Sequence, residues 1–231
     1  MSLDVFLNPA VFAAMIDHTF LKPFGPPADI EQLCEEAAQY RFAMVAVNPG
    51  EVERCAALLN GTDVRVGAAI GFPLGQNTAE AKKFETADAI ENGATEIDTV
   101  INLRALKAGN TDLVYREIAT MAELCKPHGA ISKAILETCY LTEEEKVTVC
   151  ELAVKAGVDF VKTSTGFGTA GATVADVKLM RSVCGPKMGV KAAGGIRTLE
   201  IALAMIEAGA TRLGTSCGVK LMESLAAGAG R

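Results

Sequence analysis

Histidine is scarce in this 231-residue chain: His18 and His128 are the only two, and neither an H-x-x-x-H motif nor a cysteine–histidine cluster occurs. A zinc centre therefore lacks its usual ligands, and a Ser-His-Asp triad can be drawn only by choosing residues freely. His128 precedes Gly129 at a helix end, where a dipole contact explains it, and His18 is expected as a packed core residue. The seven cysteines include no C-x-x-C pair and are odd in number, which argues against a disulfide frame and for free thiols in a reducing compartment. Cys139 and Cys217, near expected strand ends, read as small buried hydrophobes. No apolar run reaches the roughly 20 residues of a membrane span. The stretch MSLDVFLNPA has no basic region followed by an apolar core, so the expected compartment is the cytoplasm. Basic runs are missing too: 22 Lys and Arg stand against 28 Asp and Glu, a net charge of −6 mixed along the chain. Neither nucleic acid nor an anionic membrane is an expected partner, and any anionic ligand must be held locally.

Against these absences, two lysines sit where a charge is costly. Lys162 in DFVKTSTGFG and Lys191 in MGVKAAGGIR interrupt short, strand-like apolar runs. A buried, unpaired ammonium is disfavoured by several kcal/mol, and a lysine so placed lowers its pKa and gives up its proton. The neutral amine is a nucleophile. A second cation nearby would depress its pKa further, so the pair points to Schiff-base chemistry on a carbonyl.

The chain also has a rhythm. Helix-like segments close on Gly61, Gly93, Gly129, Gly157, Gly185 and Gly209, and a β-rich run starts within about four residues of each. The runs are short and apolar, as strands covered on both faces should be. Helix starts fit: Thr142 with Glu145 forms a capping box, and Thr78 and Thr198 precede helical patterns. With RFAMVAVNP near 41–49 and DHTFLKP near 17–23, eight strands alternate with helices, which predicts a TIM (β/α)8 barrel forming one domain over 1–231. A doubly wound open sheet would show the same alternation. An apolar helix face left exposed would support a homodimer.

Strand parity then sorts the polar residues. Lys162 shares a face with Phe160 and Ser164, Asp98 with Glu96, Val100 and Asn102, and Lys133 with Ile135 and Glu137. If these faces point inward, lysines from the fifth, sixth and seventh strands meet an aspartate from the fourth at the end of a barrel where chemistry is done. Glycines follow the last three strands at Gly166, Gly194–Gly195 and Gly214, the last with Ser216. Such loops let backbone N–H groups approach a phosphate. GFGTAG also matches G-x-G-x-x-G, but Lys191 stands near where a ribose-binding acid belongs, and the motif lies late in the chain.

DHTFLKP, IGFPLG, EIDTVIN, KAILET, DFVKTSTGFGTAGAT, VKAAGGIRT and RLGTSCG, in this order, resemble the 2-deoxyribose-5-phosphate aldolase family, class I aldolases on a TIM barrel. The likeness runs through nearly the whole chain. It implies that Lys162 forms the Schiff base, that Lys191 perturbs it and shares in proton transfer, and that Asp98 belongs to the proton relay. Asp17 and Thr165 would meet sugar hydroxyls, and Lys133 would belong to the polar network around the imine. Gly166, Gly194, Gly195, Gly214 and Ser216 would hold the phosphate of a small phosphorylated sugar, with neither metal nor organic cofactor required. Three departures qualify it. Ala46 replaces a second-strand cysteine of many relatives, Cys217 replaces a frequent second serine, and SLAAGAGR lacks a tyrosine that ends some longer members, leaving proton transfer to Asp98, Lys191 and water. A transaldolase-like or keto-acid aldolase would share Lys162 but take another donor, and an inactive phosphate-binding barrel would bind without turnover.

Overall fold

The structure, a computed structural model, describes residues 6–229, so the first residues of MSLDVFLNPA and the last two of SLAAGAGR lie outside it. Eight parallel strands close into a barrel in sequence order: β1 (Ile16–Thr19), β2 (Met44–Val47), β3 (Arg65–Ile70), β4 (Glu96–Val100), β5 (Ile131–Ile135), β6 (Phe160–Lys162), β7 (Gly189–Ala193) and β8 (Arg212–Thr215). β1 pairs with both β2 and β8, which excludes the open sheet. The first strand sits earlier than the DHTFLKP run suggests. It ends at Thr19, after which only the Phe20 N–H still reaches the β2 side, donating to Ala46 O at 3.0 Å.

Helices alternate with the strands: α1 (Pro9–Ala13), α2 (Ala28–Tyr40), α3 (Val52–Leu58), α4 (Ala79–Glu91), α5 (Leu103–Lys107), α6 (Thr111–Cys125), α7 (Glu143–Ala156), α8 (Val174–Cys184), α9 (Leu199–Glu207) and α10 (Gly218–Ala229). Side-chain caps start α4, α7 and α9 from Thr78, Thr142 and Thr198, and the Thr142/Glu145 capping box is complete. Gly157 ends α7 in the left-handed conformation at φ 73°, as a residue without Cβ does most readily.

Two interiors result from strand alternation. Outward-facing Val45, Val66, Ile97, Ala134, Val161, Val190 and Leu213 form the apolar core with the helices. The lumen is different. Asp17, Glu96, Asp98, Lys133, Lys162, Lys191 and Arg212 are all buried there. Arg212 on β8 bonds to Glu96 on β4, across the barrel, which only a path through the lumen permits. All seven cysteines are free thiols; Cys139 and Cys217 are the two not fully buried, so the expectation of burial fails for both.

Candidate active site

The lumen is filled by one ion network that rises towards the C-terminal ends of the strands. At its base, Arg212 donates to both Glu96 oxygens at 3.1 Å and, through Nε, to Asp17 Oδ1 at 2.7 Å. Its guanidinium carbon also lies 5.7 Å from the centre of the Phe160 ring. Lys133 bridges Glu96 and Asp98, with Nζ 2.7 Å from Asp98 Oδ1. Lys191 Nζ lies 2.7 Å from Asp98 Oδ2 and 2.5 Å from Asp17 Oδ2, the latter an ion pair without hydrogen-bond alignment. Lys162 Nζ donates to the same Asp98 Oδ2 at 2.8 Å. Asp98 is thus the hub on which three lysines from three strands converge, and Lys162 and Lys191 share one of its oxygens.

Register explains the meeting. Lys162 pairs with Lys191 across β6 and β7, and Asp98 with Lys133 across β4 and β5, so the four side chains leave the sheet at neighbouring heights on one face. Gly214 makes room for one of them. A Cβ there would lie 3.1 Å from Lys191 Cε and 2.9 Å from Ala193 Cβ.

The electrostatics single out Lys162. Burial, the largest influence, lowers its pKa from the usual 10.5 to about 8; Asp98 works against that shift, while Lys191 and Lys133 deepen it. Desolvation is therefore the main cause and the like-charge neighbour an addition to it, the order in which the sequence reading places them. Lys133 moves the other way: burial opposes its charge, but Asp98, Glu96 and Asp17 outweigh burial and raise its pKa. Burial also works against the charge on Asp98, yet Lys133, Lys162 and Lys191 hold that carboxyl well below the carboxylate range. With Lys162 neutral, three carboxylates face three remaining cations in the lumen.

Only Lys162 among these groups reaches the cleft above. The cleft has a volume of about 490 Å³, and Lys162 lines it together with Thr165 and every residue expected to hold phosphate: Gly166, Gly194, Gly195, Gly214 and Ser216. Gly166, Gly194 and Gly195 have φ of 88°, 84° and 79°, left-handed conformations that favour glycine. Among the described residues, no backbone carbonyl takes up the N–H groups of Gly166, Gly194, Gly195 or Ser216. Asp17 is elsewhere: it is absent from the cleft lining, fully buried, and committed to Lys191 and Arg212, so it supports the network instead of facing a sugar. Thr165 lines the cleft, with its hydroxyl donated to Glu137. His18 is buried as expected, yet it also touches the cleft and bonds to Glu36 at 2.7 Å.

Lys162 and Lys191 converge on one carboxylate beneath a glycine-walled cleft, and the chain as a whole matches known proteins. The model for the DeoC/LacD family aldolases aligns with residues 11–224. The chain belongs to that family. A deoxyribose-phosphate aldolase of Bacteroides thetaiotaomicron is 69% identical over 92% of this chain and 89% of its own length. One from Geobacillus sp. is 60% identical, covering 91% of this chain and 94% of the relative. Among solved structures, the deoxyribose phosphate aldolase of Aeropyrum pernix, described as tetrameric, superposes with a TM-score of 0.90 at 36% identity, covering 97% of this chain and 94% of that one. Several groups of this aldolase escape a reading of sequence. Arg212 begins a strand and is indistinguishable there from a surface residue, although its parity with Gly214 was available. Lys22 and Arg197, on the rim of the cleft, lie inside the motifs DHTFLKP and GGIRT without periodicity to mark them. Glu137 shares strand parity with Lys133 but carries no signal of its own.

Proposed function

We propose that the protein cleaves 2-deoxy-D-ribose 5-phosphate reversibly to D-glyceraldehyde 3-phosphate and acetaldehyde, with Lys162 as the nucleophile. The observation that carries this reading is that Lys162 alone connects the ion network to the cleft, with a lowered pKa. Neutral Lys162 adds to the C1 aldehyde of the open-chain sugar, and loss of water leaves an iminium. Asp98, through a water molecule, accepts the proton of the C3 hydroxyl; the C2–C3 electron pair flows to the iminium nitrogen, and glyceraldehyde 3-phosphate departs. The enamine is protonated at C2, and water hydrolyses the resulting iminium to acetaldehyde and free Lys162. Lys191 tunes the amine and passes protons by way of Asp98, while Lys133 holds Asp98 in place. The glycine loops and Ser216 take the phosphate, with Lys22 and Arg197 supplying positive charge at the rim.

The test is to incubate the protein with acetaldehyde and borohydride and locate the modification by mass spectrometry. A two-carbon adduct on Lys162 supports the assignment; labelling only by a larger keto donor overturns it in favour of a different Schiff-base aldolase. Cytoplasmic residence is supported by the seven free thiols, and among the described residues no helix is long and apolar enough to cross a membrane. A homodimer is proposed on the exposed apolar side chains Phe84 and Leu58 of α4 and α3, to be checked by sedimentation.

A further inference from the structure

Glu137 is a buried carboxylate to which the cleavage mechanism gives no task. It lies just past β5, is 2% exposed, and its backbone sits at φ 55°, ψ 62°, a left-handed conformation that residues with a Cβ seldom adopt. Where the lumen carboxylates face cations, its partners are uncharged. Glu137 accepts the Thr165 N–H at 3.1 Å through Oε1 and the Thr165 hydroxyl through Oε2. Thr165 Oγ1 in turn accepts the Phe167 N–H at 3.0 Å. Gly168 closes over the carboxylate, for a Cβ there would stand 3.2 Å from the Glu137 carboxyl carbon and 2.8 Å from Cys139 Sγ. The segment following Lys162 is therefore folded around one side chain, and Thr165, Gly166 and Phe167 are the part of it that lines the cleft.

Both the backbone conformation and the burial of a carboxylate without a cation are unfavourable, so they persist only where the surrounding structure over-determines them. The two hydrogen bonds to a single residue do that: they fix the position and the rotamer of Thr165 together. We propose that Glu137 is a positioning residue for the half of the substrate that leaves as the phosphorylated aldehyde, setting the wall between the Lys162 nitrogen and the phosphate-holding glycines. This rests on the cleavage reading above. Imine formation with acetaldehyde uses Lys162 and the lumen but little of that wall, whereas binding of the full sugar phosphate uses both.

The experiment compares wild type, Glu137→Gln, Thr165→Val and the double variant in two assays, borohydride trapping of the acetaldehyde adduct and steady-state cleavage. Glu137→Gln keeps size and shape but replaces one acceptor oxygen with an amide, so Thr165 N–H and O–H can no longer both donate. The expected result is a KM for 2-deoxyribose 5-phosphate raised about tenfold or more, with a much smaller loss of trapping. Thr165→Val should give a KM change of the same order, and the double variant little more than either single one. If Glu137→Gln does not fold, Glu137→Asp, which keeps the charge and shortens the reach, must show the same split. An unchanged KM overturns the proposal. So do equal falls in both assays that track a lowered melting temperature, since that is what a merely structural residue would give. Failure of the wild type to form any acetaldehyde adduct refutes the cleavage reading and this proposal with it; a normal wild-type adduct with an unmoved KM removes Glu137 alone.

Discussion

The Lys162 amine is neutral in a fraction of molecules that pH sets, because burial and, to a lesser extent, Lys191 lower its pKa to about 8. Roughly one molecule in ten carries the free amine at pH 7 and about half at pH 8. On the acidic side kcat/KM for cleavage should therefore rise through pH 8, which a steady-state profile from pH 6 to 9 checks. Lys162→Leu should abolish cleavage while the barrel stays folded; residual wild-type rate in that variant would remove Lys162 as nucleophile. The same shift acts on stability. Below about pH 8 both folded and unfolded chains protonate Lys162, and the folded chain carries a charge that its surroundings, burial foremost, disfavour by about 3 kcal/mol on balance. Between about 8 and 10.5 only the unfolded chain holds the proton, so stability gains with rising pH. Lys162→Leu should accordingly melt above wild type at pH 7, with the difference narrowing towards pH 10, as thermal scans would reveal. Lys191→Leu removes a like charge and frees Asp98 for Lys162, so the imine-forming limb should move to higher pH. An unmoved limb would take Lys191 out of the pKa argument.

At the scale of the element, the loop between β6 and α8 shows how one motif divides into separate tasks. In GFGTAG, Gly166 turns the backbone at the cleft, Gly168 covers Glu137, and Gly171 lies against the β7 loop so closely that a Cβ would collide with the Gly194 carbonyl. Gly171→Ala should therefore push the two glycine loops apart, lowering stability by about 1–3 kcal/mol and raising KM for the phosphorylated substrate. Denaturant melts and steady-state kinetics would measure the two effects. The spacing that fits a dinucleotide motif arises from one backbone conformation, at Gly166, and two close tertiary approaches, at Gly168 and Gly171. Strand and helix placement were legible because caps and closing glycines are local: Thr142 meets Glu145 three residues away whatever the rest of the chain does. The first strand was less legible, since its end at Thr19 is set by pairing with distant β2 and β8.

For the whole molecule, the balance of charge in the lumen is the governing quantity. Asp17 and Asp98 have lowered pKa values despite the opposing effect of burial, because Lys191 and Arg212 stabilise the first and Lys133, Lys162 and Lys191 the second. Their contribution to stability is complete above the ordinary carboxylate value of 3.8 and is lost as pH falls below it. Melting temperatures followed from pH 6 to pH 2 should drop steeply below about pH 4, and less steeply in Asp17→Asn. Parity sufficed to bring Lys133, Lys162 and Asp98 onto one side of the sheet, because two-residue alternation is written into each strand. The partner of Asp17 was not legible: Arg212 lies 195 positions away and meets it only after closure. That closure also makes the strands intolerant of a change in length. One residue inserted within β4, β5, β6 or β7 would swing its ions outward into the greasy layer under the helices and thrust valine or isoleucine inward. Insertion scanning should then find a sharp divide, with viable clones confined to the connecting turns.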